Sequence, residues 1–354
     1  FTMFYFAPHP KTFIICISLC SFSAFAENTE NVNNVISENV NITNNEFTTT
    51  SSTPTLEPKK HNSWLDKHKS SLTKFIDATA YKLDDFFGTP NPSKPAEASL
   101  RIMLDMYEDK HNGLVFKPRL RGKIRLPTLE HHLQAVIGDD DLDNEQGGGA
   151  HTTTRPSKTD DLIDRQSHKD NSSLALRFSR LKQDLNIQTD LDLGLRGSDV
   201  YLKLYGQKQW DLPHHFHSKI EQVYKYGTKS EHYTLSTMEF SQPQSKTRTL
   251  YSRSHLIYTH KNHEKDLNWS HSLYQQHQWH AKHGIKEFSY GVYLGGDVNN
   301  HSKANLNNYG PYVSYRQPIW RDWLFIQSQI SFYNNKDLNQ EHHLAAFGRI
   351  EILF

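Results

Sequence analysis

Five cations take every second place in one short stretch, Lys117, Arg119, Arg121, Lys123 and Arg125, with Phe116, Pro118, Leu120, Gly122, Ile124 and Leu126 set between and around them. In an extended chain alternate residues share a face, about 6.5–7 Å apart, so the five predict a positive stripe about 25–30 Å long. Lining an aqueous passage, such a stripe attracts anionic solutes as charged rings do in pores. Near an outer surface it would seat lipopolysaccharide phosphates instead. Acidic residues facing it across a lumen, such as Asp190 and Asp192, would neutralise it.

The other chemistry-bearing groups are less ordered. Histidine occurs 22 times, clustered at His131-His132, His214-His215-x-His217 and His342-His343. Residues two apart on a strand share a face, so His215 and His217, or His214 and His217, could hold a metal in principle. No cysteine supports them, and solvated turn histidines are the expectation, so no metal ligand is assigned. Ser270-His271-Ser272 and Ser254-His255, with Glu264 or Asp266 nearby, offer the nucleophile-and-base couple of hydrolytic enzymes. Such pairs arise by chance in a chain rich in both residues, so the sequence assigns no catalytic residue and the chain is read as a non-enzyme. The triple glycine at 147–149 lies in an acidic loop with no helix after it, which predicts no phosphate cradle and no cofactor. A balance of 40 basic against 39 acidic residues gives no reason to expect a nucleic-acid partner.

The elements that must position these residues change character along the chain. Lys11, an apolar run and Ala24-Phe25-Ala26 follow the order of a secretory signal peptide cleaved after Ala26. Both cysteines, Cys16 and Cys20, fall inside it, so the mature chain is expected to hold neither disulfide nor thiolate site. Residues 27–62 are rich in Asn, Thr and Ser and read as a disordered linker. Leu65, Leu72, Phe75, Ile76, Leu83 and Phe86 then recur at helical spacing, with Ser63 and Asp66 resembling a capping box, which predicts an amphipathic helix over 63–87. Gly88 and the prolines at 90, 92 and 95 stop it and make a Pro-rich link up to 97.

From Ala98 onward the apolar period is two. Strands are expected at 98–107, 114–126, 131–138, 172–180, 185–195, 199–209, 216–226, 231–240, 247–260, 266–280, 286–298, 308–317, 323–334 and 342–354. Several between 216 and 280 alternate poorly, so twelve to fourteen is the expected number. Mean hydropathy of −0.74 fits a soluble protein, yet barrel strands need only about 9–11 residues with every second one apolar, so a membrane barrel passes that test as well. Polar-in with apolar-out and its reverse look identical in any one strand.

The final strand separates the two. Leu344, Ala346, Gly348, Ile350, Ile352 and Phe354 alternate up to the last residue given. This pattern resembles the C-terminal signature of Gram-negative outer-membrane β-barrel proteins, although Ala346 and Gly348 stand where larger residues are usual. The resemblance implies that Leu344, Ile350, Ile352 and Phe354 are read by the barrel-assembly machinery. The segments "RPSKTDD", "NSSLALRFSR" and "NNYGPYVSYRQPIWRDW" are similar to a family of such barrels with no assigned activity, and imply a fold only. The expected architecture is a transmembrane antiparallel up-and-down barrel over 98–354, with both termini periplasmic and the long 139–171 connection outside. Trp210, Trp279, Trp320 and Trp323 are expected in interfacial girdles. The expected partners are outer-membrane lipid, lipopolysaccharide and a possible periplasmic partner at the helix. The leading functional expectation is a small-solute channel with a basic lumenal stripe. The alternative is a plugged barrel with an envelope structural or assembly role, and the third reading is a lipid- or peptide-modifying enzyme at the rim.

Overall fold

A computed structural model describes residues 64–88, 96–109, 113–126, 133–138, 173–182, 185–262, 264–298, 303–335 and 340–354. The expected signal peptide, the linker, Ser63 and residues 89–95 of the Pro-rich link lie outside the described residues. One helix, α1 (Trp64–Phe87), precedes fourteen strands: β1 (Glu97–Asp109), β2 (Gly113–Arg125), β3 (Leu133–Gly138), β4 (Ser173–Lys182), β5 (Ile187–Arg196), β6 (Asp199–Leu212) and β7 (Phe216–Gly227), then β8 (Glu231–Ser245), β9 (Arg248–Lys261), β10 (Glu264–Ala281), β11 (Gly284–Asp297), β12 (Asn308–Pro318), β13 (Leu324–Asn335) and β14 (Gln340–Leu353). Each expected segment is a strand, and β8 runs beyond its expected end to Ser245.

Every strand pairs antiparallel with its neighbours in sequence, and β14 returns to β1, so the sheet closes into a barrel of fourteen strands with no free edge. At the seam Ile102 stands opposite Ile352 and Asp105 opposite Arg349. Phe354 completes the ladder, donating its N–H to the Leu100 carbonyl and accepting from the Leu100 N–H, at 2.8 and 3.2 Å.

One rim, the lower, carries the start of β1, the end of β14 and the turns 246–247, 282–283 and 319–323; at the other, the upper, lie the end of β3, the start of β4, the end of β11 and the start of β12. Tight hairpins use the expected chemistry. Between β5 and β6 only Gly197 and Ser198 intervene, and Gly197 has φ +60°, the left-handed value that glycine adopts without strain.

Burial decides which way the alternation faces. On β4 and β5 the apolar set is outside, with Leu176 44% and Leu193 59% exposed, while Arg177 and Asp192 between them are 5% and 2% exposed. A water-soluble barrel would show the reverse. The same inversion holds on β2, where Phe116 and Leu120 are exposed and Arg119 and Arg121 buried, and on β14, where Leu344 and Ile350 are exposed and Arg349 and Glu351 buried. An apolar exterior around a charged interior is the architecture of a barrel that crosses a lipid bilayer.

The four tryptophans expected in girdles all sit at the lower rim: Trp210 and Trp279 near the lower ends of β6 and β10, Trp320 and Trp323 in the β12–β13 turn. At the upper rim the girdle pairs aromatics with histidine. His232 stacks on His260 and accepts from or donates to the Tyr224 hydroxyl at 2.9 Å, and His342 lies between Tyr309 and Phe332.

Helix α1 leans on the outside of the lower rim. Ala80 packs with Ile124 and Leu126, and Leu83, Ala96, Ala98 and Ala135 pack against that cluster, whose barrel members lie on the outward register of β1–β3 or just beyond it. At its other end Asp66 accepts two hydrogen bonds from Arg321 in the β12–β13 turn, 2.8 and 2.7 Å, and Lys69 lies over the Trp323 ring at 5.6 Å. Hydrogen bonding to Asp66, with that carboxylate's charge and Asp322 behind it, raises Arg321 above its ordinary range. The helix therefore passes beneath the seam, from the β12–β13 turn to β3.

Candidate functional site: the charged lumenal wall

The inward register gathers charge on nearly every strand, and the wall organises it in pairs. Asp105, fully buried, holds a two-pronged contact with Arg349, Nε to Oδ1 at 2.6 Å and the terminal nitrogen to Oδ2 at 2.8 Å. Arg119 approaches the same carboxylate at 3.5 Å. On the far side of β3, Arg177 forks around Asp192 with both bonds at 2.7 Å and reaches Asp190 at 3.7 Å. Parallel N–H···O bonds of this kind are the strong form of an ion pair, and each orients the guanidinium plane along the wall. Arg253 pairs with Glu239 between β9 and β8, and Lys219 with Glu221 along β7 at 2.8 Å. Glu351 is shared by Arg101 and by Arg316, the latter at 2.9 Å, while Arg316 covers the Phe325 ring at 4.2 Å.

The strand registers explain these pairs. Asp105 opposite Arg349, Arg177 opposite Asp192 and Glu239 opposite Arg253 are direct cross-strand partners, whose Cβ atoms pleating holds about 4.5–5.5 Å apart. A charge buried without such a partner is strongly destabilising, which is why nearly buried residues on this wall come with opposite charges.

The basic stripe lies on this wall. Lys117 and Lys123 are half-buried, Arg119 and Arg121 buried, and Arg125 exposed at the lower rim, where it meets Glu97 at 3.1 Å. The strand pairing adds a member that spacing alone does not reveal: Arg101 of β1 stands directly opposite Arg121. Asp190 and Asp192, considered above as neutralisers of the stripe, are engaged by Arg177 of β4, while Asp105 and Glu97 of β1 reach stripe members Arg119 and Arg125. The signal for Asp105 was present in "RIMLDMYED", where it breaks the continuous apolar run from Ile102 to Tyr107. Of the terminal set, Leu344 and Ile350 are exposed on the outside, with Ile352 and Phe354 partly exposed on the same register.

The serine and histidine candidates are sorted by the pleat. Ser254 and His255 project to opposite faces: His255 bonds Thr237 inside at 2.9 Å, whereas Ser254 bonds His271 of the neighbouring strand outside, also at 2.9 Å. Glu264 and Asp266 share the inward register near the upper end of β10, so neither completes a triad with the outward His271. His214 and His215, at φ +61° and +60°, form the β6–β7 turn, and His217 pairs with Asp211. Among the described residues no group of three or more His, Cys, Asp and Glu could hold a metal ion.

The β7–β10 exterior departs from the apolar rule, and several of its polar side chains bond one another. Ser236 donates to Gln222 at 2.7 Å, Gln275 to Gln244 at 2.8 Å, and Tyr290 to Gln275 at 2.5 Å. Paired in this way, they face a bilayer at lower cost than open donors would.

No family model matches the chain, and no curated protein does. Solved structures of similar shape include OmpTdeltaL8, a loop-deletion mutant of an outer membrane protein of Vibrio cholerae, 6% identical over 73% of this chain and 99% of that one, with TM-score 0.42. The outer membrane channel DcaP of Acinetobacter baumannii is 7% identical over 75% and 99%, TM-score 0.42. OccK10 of Pseudomonas aeruginosa is 9% identical over 73% and 99%, TM-score 0.42. Likeness of this degree decides neither activity nor solute.

Proposed function

We propose that this chain is a Gram-negative outer-membrane β-barrel that passes small hydrophilic solutes, with a preference for anions. The observation that carries the reading is the inversion described above: a closed fourteen-strand wall, apolar outside and built of ordered charge inside. Fourteen strands fall between small barrels filled by side chains and the wider barrels of about 16–18 strands that hold aqueous channels, which fits a narrow lumen. The anion preference rests on β1 and β2, whose inward register holds Arg101, Lys117, Arg119, Arg121, Lys123 and Arg125 against Glu97 and Asp105. In this reading the wall pairs fix the cations in place and leave the stripe a net positive potential. No bond is made or broken, and no cofactor is required.

One observation favours a second reading. Lys203, Gln327 and Glu351 on the inner wall are only 2%, 4% and 3% exposed, which is the packing of a closed lumen. A barrel sealed in this way would serve the envelope as a structural or assembly element. Planar-bilayer recording separates the two, comparing the parent with the triple variant Arg119→Gln, Arg121→Gln, Lys123→Gln. Discrete conductance steps with anion selectivity that falls in the variant support the channel. No current from a folded protein whose mobility in SDS still changes on heating sinks it in favour of the sealed barrel.

A further inference from the structure

The wall and the seam leave one part of the molecule without a role: the side of α1 turned away from the barrel. Trp64, Phe75 and Phe86 follow one another at intervals of eleven residues, three turns of helix, and so lie on one line along its length. All three are strongly exposed, at 70%, 68% and 81%. The line of barrel contact, through Asp66, Lys69, Ala80 and Asp84, runs on the other side, and both Ala80 and Asp84 are fully buried. Between the two lines, on one flank, come the half-buried Leu72, Ile76 and Leu83. The opposite flank carries Lys67, Ser70, Lys74, Asp77 and Asp85, all exposed.

Three directions are thus assigned on one helix: polar to one side, apolar to the other, and outward a row of large aromatics with the exposed Lys82 on the same line. We propose that α1 is an interfacial membrane helix, held against the barrel by one edge and sunk by its aromatic row into the phospholipid of the leaflet that meets the lower rim. This inference rests on the reading of the chain as a membrane barrel. The occupant is chosen by continuity. The helix lies against the outward register of β1–β3, whose exposed apolar belt of Leu104, Leu120 and Ile137 begins just above it, so lipid that wets the belt also reaches the row. The lower rim already carries Trp210, Trp279, Trp320 and Trp323 at the level where aromatic belts sit, and Trp64 and Phe75 extend that belt onto the helix. Lys67 and Lys74 on the polar flank are placed to meet anionic headgroups, as in helices that lie in the interface plane.

The test is fluorescence quenching in vesicles of phosphatidylethanolamine and phosphatidylglycerol, brominated on the acyl chains near the carbonyl. The full chain is compared with Trp64→Phe, so that the difference reports Trp64, and with Trp279→Phe, so that the second difference reports the barrel belt. The expected result is that the Trp64 signal loses at least half its intensity in brominated vesicles and is insensitive to aqueous iodide, and that Phe75→Asp reverses both. A Trp64 signal quenched by iodide and untouched by bromine, while Trp279 is quenched by bromine, overturns the proposal and gives the helix to a water-borne protein partner. If the Trp279 signal also ignores bromine, the barrel is not in the membrane, and the reading beneath the proposal fails with it.

Discussion

Asp105 and Arg349 stand 244 residues apart in the chain and face each other across the seam where the last strand meets the first, joined by two hydrogen bonds of 2.6 and 2.8 Å. Arg349→Met leaves the carboxylate buried with Arg119 and the Tyr107 hydroxyl, each at 3.5 Å, to answer it. Breaking one side of a buried pair costs about 3–5 kcal/mol, and the partial cover from Arg119 places this loss near the lower end. The expected outcome is a lower urea midpoint and earlier loss of the compact mobility in SDS. Adding Asp105→Asn to Arg349→Met recovers part of the loss, because the carboxylate is no longer buried uncompensated although Arg119 loses the acid beside it; if the double variant is as weak as the single one, the pair is not what holds the seam.

Selectivity should depend on salt in a definite way. The screening length falls from about 10 Å at 0.1 M to about 3 Å at 1 M, so the field of the β2 cations reaches across the lumen only in dilute electrolyte. In the parent the anion-to-cation permeability ratio is expected to drop toward unity between those concentrations. In the triple glutamine variant the ratio should be low at both. A parent ratio that ignores salt would mean that selectivity arises from the width of the passage.

Gly194 and Tyr201 are cross-strand partners, and the tyrosine ring occupies the space that a side chain at 194 would fill. A Cβ placed there would come within 2.5 Å of the ring. Tyr201 is 2% exposed and lies under the Lys225 ammonium at 5.8 Å, so it has little room to retreat. Gly194→Val is predicted to cost about 1–3 kcal/mol through overpacking, seen as a lower unfolding midpoint. Gly206→Ala is the control, since its Cβ would meet nothing within 4 Å.

The contact between Asp66 and Arg321 is exposed and weak in isolation, but it fixes the start of α1. Arg321→Ala is expected to raise the rate of tryptic cleavage at Lys67 and Lys69 severalfold while leaving the barrel's heat-modifiable mobility unchanged. Equal cleavage rates in parent and variant would show that the Ala80 and Leu83 contacts alone hold the helix.

Much of the fold was legible because a strand writes its burial into a period of two. "SLALRFSRLK" and "IQTDLDLGLR" declare both faces of β4 and β5, and the helix declares itself by its change of period. The direction of the faces was not legible in any single strand, since charged-in and charged-out have one pattern. It is fixed only by closure, which buries Arg177 and Asp192 and exposes Leu176 and Leu193. The weak alternation from 216 to 280 has a physical cause: Gln222, Ser236, Ser254, His271 and Gln275 stand on the outside but bond sideways to neighbours, so polarity there does not report the lumen. The partner of the basic stripe was missed because it lies on a strand paired in register, a relation that spacing along β2 cannot carry. Arg349 and Glu351, in the terminal run read for its apolar members, are the charged alternates that closure turns inward.

The path of α1 beneath the seam bears on the order of events during folding. Its carboxylate at Asp66 waits for Arg321, which is 255 residues further along, and Asp105 of the first strand waits for Arg349 of the last. Contacts of such sequence separation are slow to form, because the chain's loop entropy is lost before they repay it. A barrel arrested before β13 and β14 join it holds neither contact, and Asp105 has Arg119 of β2 in place of Arg349. Completion is thus marked chemically, by the closing of the Asp66–Arg321 contact at the rim and the Asp105–Arg349 contact at the seam.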